Sequence, residues 1–152
     1  MTRTDHQADS VPSPTGIPIV LFACVHNAGR SVAARVLAEH HGGDRVEVRS
    51  AGSEPGSSVN PMVAAVLAER GLSAGAEVPT LLTRTAVEEA DVVVTMGCRE
   101  TCPVFPGKRY LDWDVDDPAG RDHPSVQRIV DDIDRRVRGL LADLGVPVRA
   151  EA

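Results

Sequence analysis

A cysteine and an arginine close the two ends of a short stretch, Cys24-Val25-His26-Asn27-Ala28-Gly29-Arg30, and a serine, Ser31, follows at once. An apolar run, Ile17 to Ala23, leads into this stretch, and a helical pattern, Ser31 to His40, leaves it. The loop therefore joins the end of a buried strand to the start of a helix. Helix N-termini present unpaired N–H groups and a partial positive charge. A glycine-containing loop there can turn its amides onto one centre and hold an anion. The candidate oxyanion-binding residues are Val25, His26, Asn27, Ala28, Gly29, Arg30 and Ser31. Arg30 adds a planar donor fork suited to tetrahedral oxyanions. Cys24, at the mouth of that positive field, is expected to be held as thiolate, with the Ser31 hydroxyl donating to it. A sulfur nucleophile beneath a bound oxyanion suits in-line attack on phosphorus or arsenic. An ordinary buried cysteine accounts for Cys24 alone, but not for Arg30 and Ser31 opening a helix beyond a glycine turn. His26 reads as a loop residue that contributes its amide, not as a proton shuttle.

The elements that must position these residues alternate. After the first strand and helix, Arg45 to Ser50 reads as a second strand, with Ala51-Gly52 as a tight exit. Residues 53–59 form a Gly/Ser/Pro loop. Asn60-Pro61 supplies an N-cap and a first-position proline for a helix that Gly71 ends. Thr80 to Ala90 reads as a further short helix, Asp91 to Met96 as a third strand and Lys108 to Trp113 as a fourth. Ser125 to Leu144 is a long terminal helix, apolar at Ile129, Ile133, Val137, Leu140, Leu141 and Leu144. Such alternation implies an α/β fold with a parallel sheet and right-handed crossovers.

The whole sequence, 152 residues, suits one domain. Residues 1–16 are polar, lack an apolar core and read as a disordered tail; 17–145 form the domain, and 146–152 a short C-terminal tail. A net charge of −6 disfavours a nucleic-acid surface, and no stretch is long enough to span a membrane. The odd count of three cysteines, Cys24, Cys98 and Cys102, without a signal segment, points to a reducing cytoplasm.

Cys98-Arg99-Glu100-Thr101-Cys102-Pro103 follows the third strand. Two thiols can supply two electrons by becoming a disulfide, and Arg99 could help keep Cys98 a thiolate. The pair is a weak zinc signal, because no second pair completes a ligand set. No metal site is expected.

The Cys-x5-Arg-Ser spacing after the first strand resembles the low-molecular-weight tyrosine phosphatases, a fold that serves phosphatases and one class of arsenate reductases. The loop alone does not choose between them. Thr95-Met96-Gly97-Cys98, Cys102-Pro103 and Asp116-Asp117-Pro118-Ala119-Gly120 are similar to the arsenate reductases. The phosphatases usually carry tyrosines after Asp-Pro, where this chain has Ala119-Gly120. The resemblance covers roughly residues 17–144. It implies a four-stranded parallel sheet, order 2-1-3-4, with helices on both faces, so that Cys24 and Cys98 follow neighbouring strands at the switch point where ligands bind.

The resemblance further implies roles. Arsenate, with phosphate or sulfate as mimics, is clamped by Arg30; Cys24 attacks arsenic, and Asp117 protonates the departing oxygen. Cys98 then attacks Cys24, Cys102 attacks Cys98, and thioredoxin resets the enzyme; the other possible reductant is mycothiol with a redoxin. No cofactor stays bound. Asn27 shapes the loop through its side chain, Ser50 supports it, and Asp116 is structural. Some relatives bind potassium through a glutamate of the first helix, where this chain has Arg35. Two alternatives stand beside arsenate reduction: a low-molecular-weight protein-tyrosine phosphatase, and a non-catalytic oxyanion- or arsenite-binding regulator.

Overall fold

The computed structural model describes residues 16–74, 77–97 and 104–148. Four strands, β1 (Ile19–Cys24), β2 (Glu47–Gly52), β3 (Val92–Met96) and β4 (Arg109–Asp112), form one sheet in the order β2-β1-β3-β4. All three pairings are parallel, so both the class and the strand order expected above are observed. Four α-helices connect or follow the strands: α1 (Arg30–Gly42), α2 (Pro61–Glu69), α3 (Arg84–Glu89) and α4 (His123–Asp143).

Successive strand side chains alternate across the sheet, and β1 supplies both faces. Val20, Phe22 and Cys24 point into the larger core, against residues of α1, α2 and α4, whereas Ile19 and Leu21 join Ala51, Val87, Ala90 and Val93 in the smaller one. Cys24 therefore faces the layer that contains α1. A strand buried on both faces needs apolar residues throughout, and every residue of β1 and of β3 is buried.

Several boundaries differ from the sequence reading. Pro18 has no N–H to give a ladder, and β1 starts at Ile19. Gly43–Arg45 form a 3₁₀ turn, which delays β2 to Glu47 and carries it through Gly52. The expected helix over 80–90 is only α3, because the backbone of Thr80 and Leu82 is committed elsewhere: Gly52 N–H donates to Thr80 O (2.8 Å) and Leu82 N–H to Gly52 O (2.8 Å). Thr83 then caps α3, its side chain accepting from Ala86 N–H. At the other end Val146 folds back into the larger core, its N–H on Leu141 O (2.8 Å). No helix among the described residues is long and apolar enough to cross a membrane.

Candidate active site

Cys24 ends β1 with Gly52 of β2 and Met96 of β3 as its cross-sheet partners. The loop after it is pinned from outside. Ser53 N–H donates to Cys24 O (3.2 Å), Glu54 to Val25 O (2.7 Å), Gly56 to His26 O (2.9 Å) and Asn60 to Ala28 O (2.7 Å). In a planar trans peptide the carbonyl and the next N–H point in opposite directions. With those carbonyls turned outward, the amides of Val25, His26, Asn27 and Gly29 turn inward. Gly29, the N-cap of α1, has no side chain with which to cap the helix, which leaves the first-turn amides to an anion. The segment 53–60 that pins these carbonyls, read above only as a loop, carries no signal beyond its turn-forming composition.

Asn27 has φ +50°, alone among the described non-glycine residues in having positive φ. Asparagine tolerates this region better than most side chains. Its side chain, fully buried, holds the loop from within: Oδ1 accepts Thr80 N–H (2.8 Å), and Nδ2 donates to Ser31 Oγ (2.6 Å). Ser31 Oγ lies 2.9 Å from Cys24 Sγ. Because Ser31 accepts from an amide N–H, its own proton is available to the sulfur. The Ser31 hydroxyl thus lies against the Cys24 sulfur, and the Asn27 side chain bridges Thr80 and Ser31. His26 is exposed, and its Nδ1 donates to Glu54 O (2.9 Å), bracing the loop against its support.

Arg30 is held on three sides. Nη1 donates to Val115 O (3.3 Å), and Nη2 lies 3.8 Å from Asp117 Oδ2. A Cβ on Gly97 would stand only 3.0 Å from Nη1, and Gly97 has φ +92°, so glycine serves there on both counts. Asp117 Oδ1 accepts Ala119 N–H (3.0 Å), an Asx turn that fixes the carboxyl beside the guanidinium. Pro118 is buried against the loop: a Cβ on Gly29 would come within 2.8 Å of its Cγ. Thus Asp117, far away in the sequence, joins Cys24, Arg30 and Ser31 at the carboxyl end of the sheet. Asp116 is exposed. Ser50 lies buried inside β2 opposite Phe22, two residues before the strand ends. Cys98, Arg99 and Cys102 lie outside the described residues.

The sequence profile described as low molecular weight phosphotyrosine protein phosphatase matches residues 19–150. The chain belongs to that phosphatase family. Among solved structures, it is similar to a Corynebacterium glutamicum thioredoxin-dependent arsenate reductase (46% identity, TM-score 0.78), covering 89% of this chain and 64% of that one. The chain thus spans somewhat under two thirds of that relative. It is also similar to the arsenate reductase of Archaeoglobus fulgidus (35% identity, TM-score 0.70), covering 81% of this chain and 98% of the other. A curated relative, arsenate reductase 1 of Bacillus cereus, is 30% identical over 122 residues, 78% of this chain and 90% of its own.

Three parts of this phosphatase-family site were not singled out in the sequence. Thr80 contributes through its backbone amide, which no side-chain pattern announces. Gly52, read as a strand exit, is where the loop's backbone passes: a Cβ would meet Val25 O at 2.7 Å and Asn27 N at 2.8 Å. Val115 contributes a carbonyl that any residue could supply.

Proposed function

We propose that this protein reduces arsenate to arsenite, with Cys24 as nucleophile and Cys98 and Cys102 as the source of electrons. The observation that carries the reading is the pairing of Cys24 with Met96 across β1 and β3. The chain reaches Cys98 two residues after Met96 and Cys102 four residues later, so the thiols follow the strand beside the nucleophile. A phosphatase cycle needs one thiolate and water; a reductase needs further thiols. The names of the similar proteins support the same choice.

Arsenate settles among the inward amides with Arg30 as clamp. The Cys24 thiolate attacks arsenic, an As–S bond forms, and an oxygen leaves as water after taking a proton from Asp117. The Cys98 thiolate attacks Cys24 Sγ; the As–S electron pair goes to arsenic, which departs as arsenite, and a Cys24–Cys98 disulfide remains. Cys102 attacks Cys98 and frees Cys24. An external dithiol, thioredoxin being the class the Cys98–Cys102 product fits, then reduces that disulfide.

The residues around the loop support an inorganic oxyanion over an aryl phosphate. Trp113 packs against Phe22 (ring centroids 5.7 Å apart), and the Tyr110 hydroxyl accepts Phe105 N–H (2.6 Å). Both rings are thus engaged inside the fold, and Ala119-Gly120 follow Asp117-Pro118.

The test is arsenate-dependent NADPH oxidation with thioredoxin and thioredoxin reductase. Turnover is expected in the wild type and is expected to vanish in Cys98→Ser and in Cys102→Ser. Turnover unchanged in both variants would sink the relay. Rapid hydrolysis of para-nitrophenyl phosphate without arsenate turnover under either thioredoxin or mycothiol would assign the protein to the phosphatases instead.

A further inference from the structure

We infer that Arg35 and Glu77 are positioning residues for the nucleophile: their ion pair seats the segment whose backbone amide orients Asn27, and through Asn27 and Ser31 it sets how firmly Cys24 is held as a thiolate. The inference rests on Cys24 being the nucleophile.

The chain of contacts starts at Thr80. Its N–H is a donor, so the Asn27 side-chain amide must present Oδ1 to it; Nδ2 is thereby aimed at Ser31 Oγ. A hydroxyl that accepts from an amide N–H has one proton left, and Cys24 Sγ is 2.9 Å away to receive it. If Thr80 N–H withdrew, the Asn27 amide could turn over. Its oxygen would then compete for the Ser31 proton, and the sulfur would lose its donor.

Thr80 lies in neither helix nor strand and is exposed. Its seat depends on what fastens residues 77–82. Downstream, the two bonds with Gly52 hold Thr80 and Leu82 to the end of β2. Upstream, Val78 is 74% exposed, and the Glu77 N–H reaches back to the carbonyl of Ala74, which sits in the larger core (3.1 Å). There the Glu77 carboxylate, only 16% exposed, meets Arg35 (3.6 Å). Arg35 stands one helical turn beyond Ser31 on α1, so the two share a face. One rigid helix thus carries both the hydroxyl that serves Cys24 and the guanidinium that fastens the segment opposite. Arg35 also contacts Glu39 (3.4 Å). Its removal would leave the Glu39 and Glu77 carboxylates near one another without the intervening cation, so loss of Arg35 should be felt more than loss of the Glu77 charge.

The experiment is the rate of alkylation of Cys24 by iodoacetamide, read by mass spectrometry of its peptide, at pH 6.5 and pH 10, with no arsenate present. Only the thiolate reacts. At pH 6.5, Glu77→Gln should slow the reaction about threefold, the size of effect a partly exposed ion pair can exert, and Arg35→Ala should slow it more. Arg35→Lys should keep the wild-type rate. At pH 10 all variants should react alike. Wild-type rates at pH 6.5 in Glu77→Gln and Arg35→Ala would overturn the inference. So would an equal slowing at both pH values, which reports access to the sulfur and not its ionisation. Should Arg35→Ala fail to fold, Glu77→Gln, nearly isosteric, decides alone. A different result, wild-type Cys24 reacting no faster at pH 6.5 than glutathione, would remove the nucleophile reading itself.

Discussion

At the scale of single residues, the decisive one is Asn27, because it meets two demands that no other side chain meets together. It must accept φ +50° inside a fully buried site, and it must accept a hydrogen bond on one side while donating on the other. The two demands separate by substitution. Asn27→Asp keeps the shape and can still accept Thr80 N–H, but it cannot donate to Ser31; the Ser31 proton would turn to the new carboxylate and leave Cys24. The expected outcome is turnover reduced roughly 100-fold, the order of a lost charge-stabilising donor, with the chain still folded. Asn27→Ala loses both bonds and the tolerance of positive φ, and should cost about 2–4 kcal/mol of stability as well. Parallel measurement of kcat and urea unfolding checks both; equal kcat in Asn27→Asp and wild type would show that Ser31 does not depend on Asn27 for its orientation.

At the scale of elements, the loop and its supports touch without spare space, and this was the part least legible in the sequence. Cys24, Arg30 and Ser31 announce themselves because the chemistry proposed for them needs their side chains. Gly52, Thr80 and Val115 serve through backbone position, which any sequence pattern reports poorly; the strand period and the helix caps give element types but not close approaches. Gly52→Ala tests how tight the approach is. The atoms its Cβ would meet are backbone, at 2.7 to 2.9 Å, and cannot rotate away. Overpacking of about 1–3 kcal/mol is expected, with a larger fractional loss of activity than of stability, because the shift falls on Val25 to Asn27. A melting curve beside a turnover assay would show it; full activity in the Gly52→Ala variant would mean that the loop can move aside.

The start of α4, placed at Ser125 from the sequence and found at His123 in the structure, carries a pH dependence. Asp122 is the N-cap, accepting Ser125 N–H (3.0 Å), and hydrogen bonds from the Ser125 side chain and backbone hold its carboxyl below the ordinary carboxylate range. A carboxyl lowered on folding stabilises the fold above its unfolded value, and that contribution disappears as pH falls through the folded value. Asp122→Ala should therefore melt below the wild type at pH 7, and the gap should shrink on acidification through the carboxylate range. Asp122→Asn should retain a cap that does not titrate. A gap between wild type and Asp122→Ala that stays constant from pH 7 to pH 2 would show that the charge on Asp122 contributes nothing to the cap.

At the scale of the whole molecule, two layers of packing hold one sheet, and the site lies where the layers stop. Fold class and strand alternation were legible because β1 and β3 are apolar throughout and α4 repeats its apolar positions at helical spacing; strand order was not, since register between separated strands leaves no local mark and came only from the family resemblance. The same division makes stability and chemistry separable. Ile133 of α4 is fully buried in the larger core, and its neighbour Asp134 meets His41 in the last turn of α1 (2.6 Å), while the Cys24–Arg30 loop stands before the first turn of that helix. Ile133→Ala should cost about 2–5 kcal/mol, a large share of the roughly 5–15 kcal/mol that holds a domain of this kind. The melting temperature should fall by several degrees. At a temperature where the variant remains folded, its kcat and its rate of Cys24 alkylation should match the wild type, because the hydrogen bonds that pin the loop and hold Asp117 run through other residues. A variant folded by circular dichroism yet slow in both assays would mean that α1 transmits core packing to Ser31, and that the loop is less self-supporting than its hydrogen bonds indicate.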